Sequence, residues 1–208
     1  MIKMMKKNIK IGIVGLGYWG PNLLRNFLNT RNCNVTFLCD KDENLLRKYK
    51  KNSIETTRNY KNLITSKNVD AVVIATPVKT HFPIAIECAK NKKHIFIEKP
   101  LTHSSASSKK LINLCNKNKL TLFVDHTFIY TDAVKKIKSL INKNHLGELL
   151  YYDSTRINLG LFQDDINVFW DLAVHDIAIL LFLTNDMPIS VSCIGHSNIK
   201  KKPENIGF

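Results

Sequence analysis

Two short constellations carry the side chains best suited to moving protons: Glu98-Lys99-Pro100, and Asp171 with His175 four residues later. A lysine ammonium beside a reacting carbon can hydrogen-bond a substrate hydroxyl and stabilise the oxyanion that develops as hydride departs. Desolvation would lower its pKa toward the range of proton transfer. Residues four apart on a helix share one face, so Asp171 can orient His175, or the substrate, while His175 serves as general base. Plainer readings stand beside these: Lys99 as one surface lysine of many, and His175 as a satisfied core histidine next to a helix-capping Asp. The same spacing serves metal ligation, but no third ligand follows at a familiar distance along the chain, and no metal is expected. A third stretch, Ala75-Thr76-Pro77 with Thr80-His81 beyond, is either a strand-ending turn or a loop beside a cofactor.

Such side chains need a scaffold, and the chain supplies one in Gly15-Leu16-Gly17-Tyr18-Trp19-Gly20. This turn follows the apolar run Ile11-Gly12-Ile13-Val14 and opens the helix-patterned segment from Pro21 to Leu28. Gly15 permits a tight turn off the strand, Gly17 lets backbone approach a pyrophosphate, and Gly20 lets the helix pack closely. The first N–H groups of that helix, including those around Tyr18 and Trp19, are set to hold phosphates, and Pro21 fits a first turn where a missing N–H costs nothing. About twenty residues on, Val35-Thr36-Phe37-Leu38-Cys39 ends in Asp40, an acid placed for ribose hydroxyls. Strand, glycine turn, helix, strand and acid in that order predict a dinucleotide site. Asp40 favours NAD, because its charge would repel a 2′-phosphate; Lys41 beside it leaves NADP open.

From residue 9 to about 124, short apolar runs alternate with helical segments, the pattern of a parallel sheet covered on both faces. Helices are expected at 42–51, around Tyr60-Leu63-Ile64, from Pro83 to Lys90 and over 104–116, the last burying Leu111, Ile112, Leu114 and Cys115. Further strands are expected over 69–75, 94–97 and 120–124. Val134, Ile137, Leu140 and Ile141 then form an amphipathic helix at a domain junction. Beyond Gly147 the pattern predicts a strand over 148–157, a helix over 169–183, a strand over 189–194 and the start of another before Phe208. The fold class is thus α/β, a Rossmann doubly wound parallel sheet over residues 1–126, followed by an incomplete α+β domain over 127–208. Two strands and one helix make a poor core for that second domain, which suggests a chain stopping inside it.

The composition, 44% hydrophobic and 23% charged, is that of a globular protein, and the apolar runs are far short of a bilayer span. The basic N-terminus runs straight into the first strand without an apolar targeting segment, so a cytoplasmic enzyme is the simplest expectation. The net charge of +14 is spread along the predicted helices beside asparagines rather than gathered into a stripe with aromatics, and no nucleic-acid or membrane partner is expected. Cys33, Cys39, Cys88, Cys115 and Cys193 form a scattered odd set without a C-x-x-C pair and read as buried small hydrophobes.

Taken together, the Gly15–Gly20 turn, Asp40, Ala75-Thr76-Pro77, Glu98-Lys99-Pro100 and Asp171-x-x-x-His175 closely resemble the glucose-fructose oxidoreductase, inositol dehydrogenase and rhizopine-catabolism family (Gfo/Idh/MocA). The resemblance implies NAD(P)-dependent oxidation or reduction of a sugar or cyclitol carbon. Lys99 then matches the lysine contacting the reacting hydroxyl, His175 the general acid/base and Asp171 its substrate-orienting neighbour. Thr76, Pro77, His81 and Glu98 match the loops along the cofactor. Val124-Asp125-His126-Thr127-Phe128, Arg156-x-Asn158-Leu159-Gly160 and Trp170-Asp171-Leu172-Ala173-Val174-His175-Asp176 are most similar to the branch acting on UDP-linked N-acetyl-hexosamines or their uronates, with Arg156 and Asn158 as substrate contacts. At position 125, where many relatives carry Gly, this chain has Asp. Full-length relatives are homo-oligomers and considerably longer, so an inactive dinucleotide-binding remnant or sensor is one alternative, and an inositol or other polyol dehydrogenase the other.

Overall fold

Alternation of buried side chains within each strand explains the first half of the molecule. In β1 (Ile9–Val14), Ile11 and Ile13 join one apolar cluster and Val14 the opposite one; in β4 (Ala71–Ile74), Val73 joins the first, and Val72 and Ile74 the second. A sheet buried on both faces in this way needs helices on both sides and parallel strands between them. The structure is a computed structural model and describes residues 8–51, 53–157, 166–200 and 202–208. The chain divides into two compact units, one ending at Asp125 and one beginning at His126.

The first unit is a six-stranded parallel sheet in the order β3-β2-β1-β4-β5-β6, with β2 at Cys33–Cys39, β3 at Glu55–Thr57, β5 at His94–Glu98 and β6 at Leu122–Asp125. That order is the doubly wound dinucleotide-binding arrangement, and the strand order reverses between β1 and β4, where ligands bind at the carboxyl ends. Helix α1 (Gly20–Asn29) follows β1, and α2 (Glu43–Tyr49) and α3 (Tyr60–Thr65) flank β3. Helix α4 (His81–Lys90) precedes β5, and α5 (Ser105–Lys117) links β5 to β6. Asp42, Asn59 and Ser104 cap α2, α3 and α5 through side-chain oxygens, and these caps set the helix starts.

Several expectations need correction. Glu55–Thr57 is a strand that three polar residues did not announce. Helix α4 begins at His81, two residues before Pro83, so the proline occupies the first turn, where its missing N–H is harmless. Ile112 is 41% exposed, leaving Leu111 and Cys115 to anchor α5. Cys39, Cys88 and Cys115 are buried, but Cys33 is half-buried and Cys193 exposed.

The second unit contains α6 (Asp132–Asn142), a π-helical turn at Phe169–Ala173, α7 (Val174–Thr184), and an antiparallel pair of β7 (Gly195–His196) with β8 (Ile206–Gly207). The strands expected over 148–157 and 189–194 are not formed among the described residues. Tyr151, Ile157, Ile189 and Val191 are all at least 78% exposed. Strand propensity expresses packing on a partner edge, which the second run gains at its end, where Ile194 and Phe208 exchange two backbone hydrogen bonds of 2.9 Å.

Two glycines fix the turn after β1. Gly15 has φ +97° and a Cβ there would lie 2.5 Å from the Ala75 carbonyl oxygen; a Cβ on Gly20 would collide with the carbonyl oxygen of Gly15. At Gly17, no described atom lies within 4 Å of where a Cβ would stand. Urea denaturation should therefore separate the two kinds of position: Gly15→Ala is expected to lose about 1–3 kcal/mol, and Gly17→Ala to stay within about 0.5 kcal/mol of wild type. Equal losses would show that Gly17 is a structural residue after all.

Candidate functional site

Each functional side chain in the first unit sits at the carboxyl end of a parallel strand. The glycine turn is tied to its neighbours through backbone: Gly15 N–H donates to the Cys39 carbonyl at 2.8 Å, and Ala75 N–H to the Val14 carbonyl at 2.9 Å. Asp40 closes the arrangement. Its Oδ2 accepts from Leu16 N–H at 2.7 Å and its Oδ1 from Asp42 N–H at 2.9 Å. A carboxylate offers about four acceptor positions, so two hydrogen bonds leave capacity for ribose hydroxyls. Helix α1, unlike α2, α3 and α5, has no side-chain cap; Pro21 has no N–H and Asn22 N–H donates to the Trp19 carbonyl at 2.9 Å, so an anion would be met by the N–H groups of the glycine turn and Gly20. Tyr18 and Trp19, 84% and 40% exposed, flank the approach.

These features fit NAD. The positive-φ glycine makes the turn, the open side of Gly17 admits a pyrophosphate, the uncapped helix start offers donors to it, and Asp40 stands where the adenosine ribose would lie. Beside it, burial, and then the charge of Asp40, push the Cys39 thiol up to about 12, so this cysteine stays neutral and inert.

The loop after β4 differs from its expected role in one respect. Pro77 is exposed and Thr76 half-buried, but His81 is 1% exposed. Its Nδ1 lies 2.9 Å from the Pro100 carbonyl oxygen and its Nε2 2.8 Å from that of Thr76. His81 thus links the loop after β4 to the turn after β5.

Glu98 ends β5 and Lys99 opens the turn beyond it, with a cis peptide bond between Lys99 and Pro100. In the register of the sheet Glu98 pairs with Asp125, the last residue of β6. Asp125 is 7% exposed, and Oε1 of Glu98 is buried without a hydrogen-bond partner among the described residues. Burial first, then the charge and hydrogen bond of Asp125, push the Glu98 carboxyl up to about 8, against a smaller opposing pull from Lys99. Asp125 is the residue whose role sequence reasoning missed, although two adjacent strands each ending in an acid were there to be read.

In the second unit, Asp171 lies in the π-helical turn and His175 in the first turn of α7, where one continuous α-helix was expected. Such widened turns concentrate at functional sites. His175 is 9% exposed and packs edge-on against Phe128 at 4.7 Å between centroids. Arg156 lies over the Phe128 ring, its Cζ 4.9 Å from the centroid, and pairs with Asp176 through two hydrogen bonds of 2.6 and 3.1 Å. Ser154 adds a third to Asp176, at 2.8 Å. Phe128, Ser154 and Asp176 thus join the site by packing that spacing along the chain could not show. Asn158 lies outside the described residues. Lys99 belongs to the first unit, and Asp171, Arg156 and His175 to the second. Among the described residues no group of His, Cys, Asp or Glu is arranged to hold a metal.

Burial pushes the Asp176 carboxyl up, but the hydrogen bonds from Arg156 and Ser154 outweigh it and hold it below the usual carboxylate range. A lowered folded pKa gives stability that is present above the ordinary Asp pKa and lost as pH falls through the folded value. Asp176→Asn should therefore cost about 1–3 kcal/mol at neutral pH, with the difference from wild type shrinking below about pH 4. Thermal unfolding across pH checks this; a difference that persists unchanged in acid would remove the ion pair as its cause.

The family model GFO_IDH_MocA, an oxidoreductase family with an NAD-binding Rossmann fold, matches residues 9–126. Among curated relatives, the myo-inositol 2-dehydrogenase of Thermotoga maritima is 30% identical over 176 residues, covering 81% of this chain and 52% of its own. The 2,7-anhydro-N-acetylneuraminate hydratase of Escherichia coli is 28% identical over 201 residues, covering 90% and 52%. The chain spans about half the length of the curated relatives it matches. A solved scyllo-inositol dehydrogenase from Lactobacillus casei, with bound NAD(H) and scyllo-inositol, has the same fold, with a TM-score of 0.78 at 20% identity over 92% of this chain and 61% of that one. With the family model covering more than half of its 208 residues, the chain belongs to the Gfo/Idh/MocA family of oxidoreductases, and its first unit is an NAD-binding Rossmann domain.

Proposed function

We propose that the protein transfers hydride between NAD and a carbinol carbon of a polyol or sugar. The observation that carries this reading is the position of Lys99, at the carboxyl end of β5 directly beyond the dinucleotide cradle of an NAD-binding domain. NAD, when bound, supplies the hydride acceptor. In the oxidation direction Lys99 would hydrogen-bond the substrate hydroxyl, and His175 would take its proton as the C–H electron pair leaves. Asp171, in the π-helical turn before His175, would orient the substrate. Thr76 and Pro77 would bound the cofactor, with His81 holding their loop.

The names of relatives support a polyol or cyclic sugar acid as the substrate class: two are an inositol dehydrogenase and a hydratase of an anhydro-sialic acid. A UDP-linked N-acetyl-hexosamine or its uronate is the narrower version suggested by the Arg156 and Asp171–Asp176 stretches. Arg156 supports it less than its type suggests, since Asp176 already engages the guanidinium. Asn158 remains a candidate substrate contact.

NAD reduction, followed with myo-inositol, N-acetylneuraminate derivatives, UDP-N-acetylglucosamine and its uronate, tests the reading. Activity is expected on at least one, and Lys99→Ala or His175→Ala should lower it by about 10²–10⁴-fold. An unchanged rate in Lys99→Ala removes the mechanism; tight NADH binding with no turnover of any of these compounds favours a binding protein.

A further inference from the structure

Glu98, half-buried with its Oε1 out of solvent, and Asp125, buried, are neighbouring carboxyl groups that the proposed hydride chemistry does not use. Their placement follows from the sheet itself. They are register partners at the last position of two hydrogen-bonded parallel strands, so their side chains leave the same face side by side. Asp125 is 7% exposed and the Oε1 atom of Glu98 is buried. Two ionised carboxylates so close and so dry repel each other, and a hydrogen bond between them requires that one carry a proton.

The pair is also coupled to Lys99. The backbone N–H of Lys99 donates to the Glu98 carboxyl, and the Lys99 charge acts on it as well. The charged groups acting on Glu98 are Asp125 from β6 and Lys99 from the turn beyond β5. From α4, the ionisable group at this turn is His81, whose nitrogens face the Pro100 and Thr76 carbonyls.

We propose that Glu98 and Asp125 hold a single proton between them and together act as a positioning element for Lys99, a role that rests on the reading of Lys99 given above. With the proton shared, the Glu98 carboxyl stays in place and clamps the Lys99 backbone. When the proton leaves, two adjacent negative charges push apart, and the Glu98 carboxylate shifts its hold toward the Lys99 N–H and ammonium, which favour its ionised form. Proton loss thus marks the alkaline side on which Lys99 changes its position. The sign is that of an acid with a raised folded pKa: the fold is favoured with the proton on, and that contribution is lost as pH rises through the folded value.

Carbon-13 NMR of the Glu98 side-chain carboxyl, assigned by its absence in Glu98→Gln, tests this on the intact chain. The wild-type signal is expected to titrate far above the ordinary carboxylate range of about 4. In Asp125→Asn, whose amide can donate permanently, the midpoint should fall by more than tenfold in proton affinity. The Lys99 side-chain signal should shift with the same midpoint in wild type and stay still over that range in Asp125→Asn. A wild-type midpoint in the ordinary range overturns the shared proton, as does an unchanged midpoint in Asp125→Asn. A Lys99 signal that does not follow Glu98 overturns the positioning role. The wild-type titration decides even if the variant fails to fold. The expected titrations in a protein that oxidises no carbinol would keep the pair and remove only the hydride reading of Lys99.

Discussion

One carboxylate holds the dinucleotide cradle together. Asp40 ends β2, and its hydrogen bond to Leu16 N–H pins the glycine turn of β1 to the neighbouring strand. A charge-assisted bond to backbone of this kind contributes about 1.5–3 kcal/mol. Its structural consequence is larger than its energy. Leu16 is fully buried, so this bond, with that from Gly15 to Cys39, fixes where Gly17 and the start of α1 face. The fixed turn then sits against Ala75, the contact that makes Gly15 irreplaceable. The loop after β4 is in turn held to the turn after β5 by His81. Cradle, loop and Lys99 are thus successive links of one hydrogen-bonded edge at the carboxyl ends of β2, β1, β4 and β5.

That edge also concentrates groups that are unfavourable to bury. Asp125 and His81 are buried polar side chains at the sheet end, with the Oε1 atom of Glu98 buried beside them, whereas the interior beneath is aliphatic. Apolar residues there would stabilise the fold more. Retaining ionisable groups at the one edge where a cofactor and a substrate would meet is the pattern expected when a site needs controlled protonation states.

The glycine turn, Asp40 and the alternation of helix and strand were legible because each follows from a local rule: residues that allow φ above zero, an acid at a strand end, apolar periodicity. Glu55–Thr57 was not, since a three-residue edge strand owes its existence to β2 rather than to its own composition. The runs around Tyr151 and Ile189 failed in the opposite sense, with strong strand propensity but side chains left exposed, the second run meeting a partner at its end, Ile194 with Phe208. At the site, Lys99 and His175 are candidates that residue type and spacing left open and the family resemblance singled out. Asp125, Phe128 and Asp176 were not, because their roles arise from sheet register and ring packing that join distant parts of the sequence. Arg156 was identified by its chemistry, but its partner Asp176 became visible only in the fold.

Asp40, already holding the turn, is expected to select NAD over NADP as well. Lys41 and Arg58 stand close in the chain fold, with Arg58 Nε donating to the Lys41 carbonyl at 3.1 Å, so charge in this region is mixed and the outcome is informative. Calorimetric titration of the protein with NADH and with NADPH measures it directly. The account predicts NADH binding at least about tenfold tighter, a difference of about 1.4 kcal/mol. Equal or tighter binding of NADPH, or no binding of either, would contradict it.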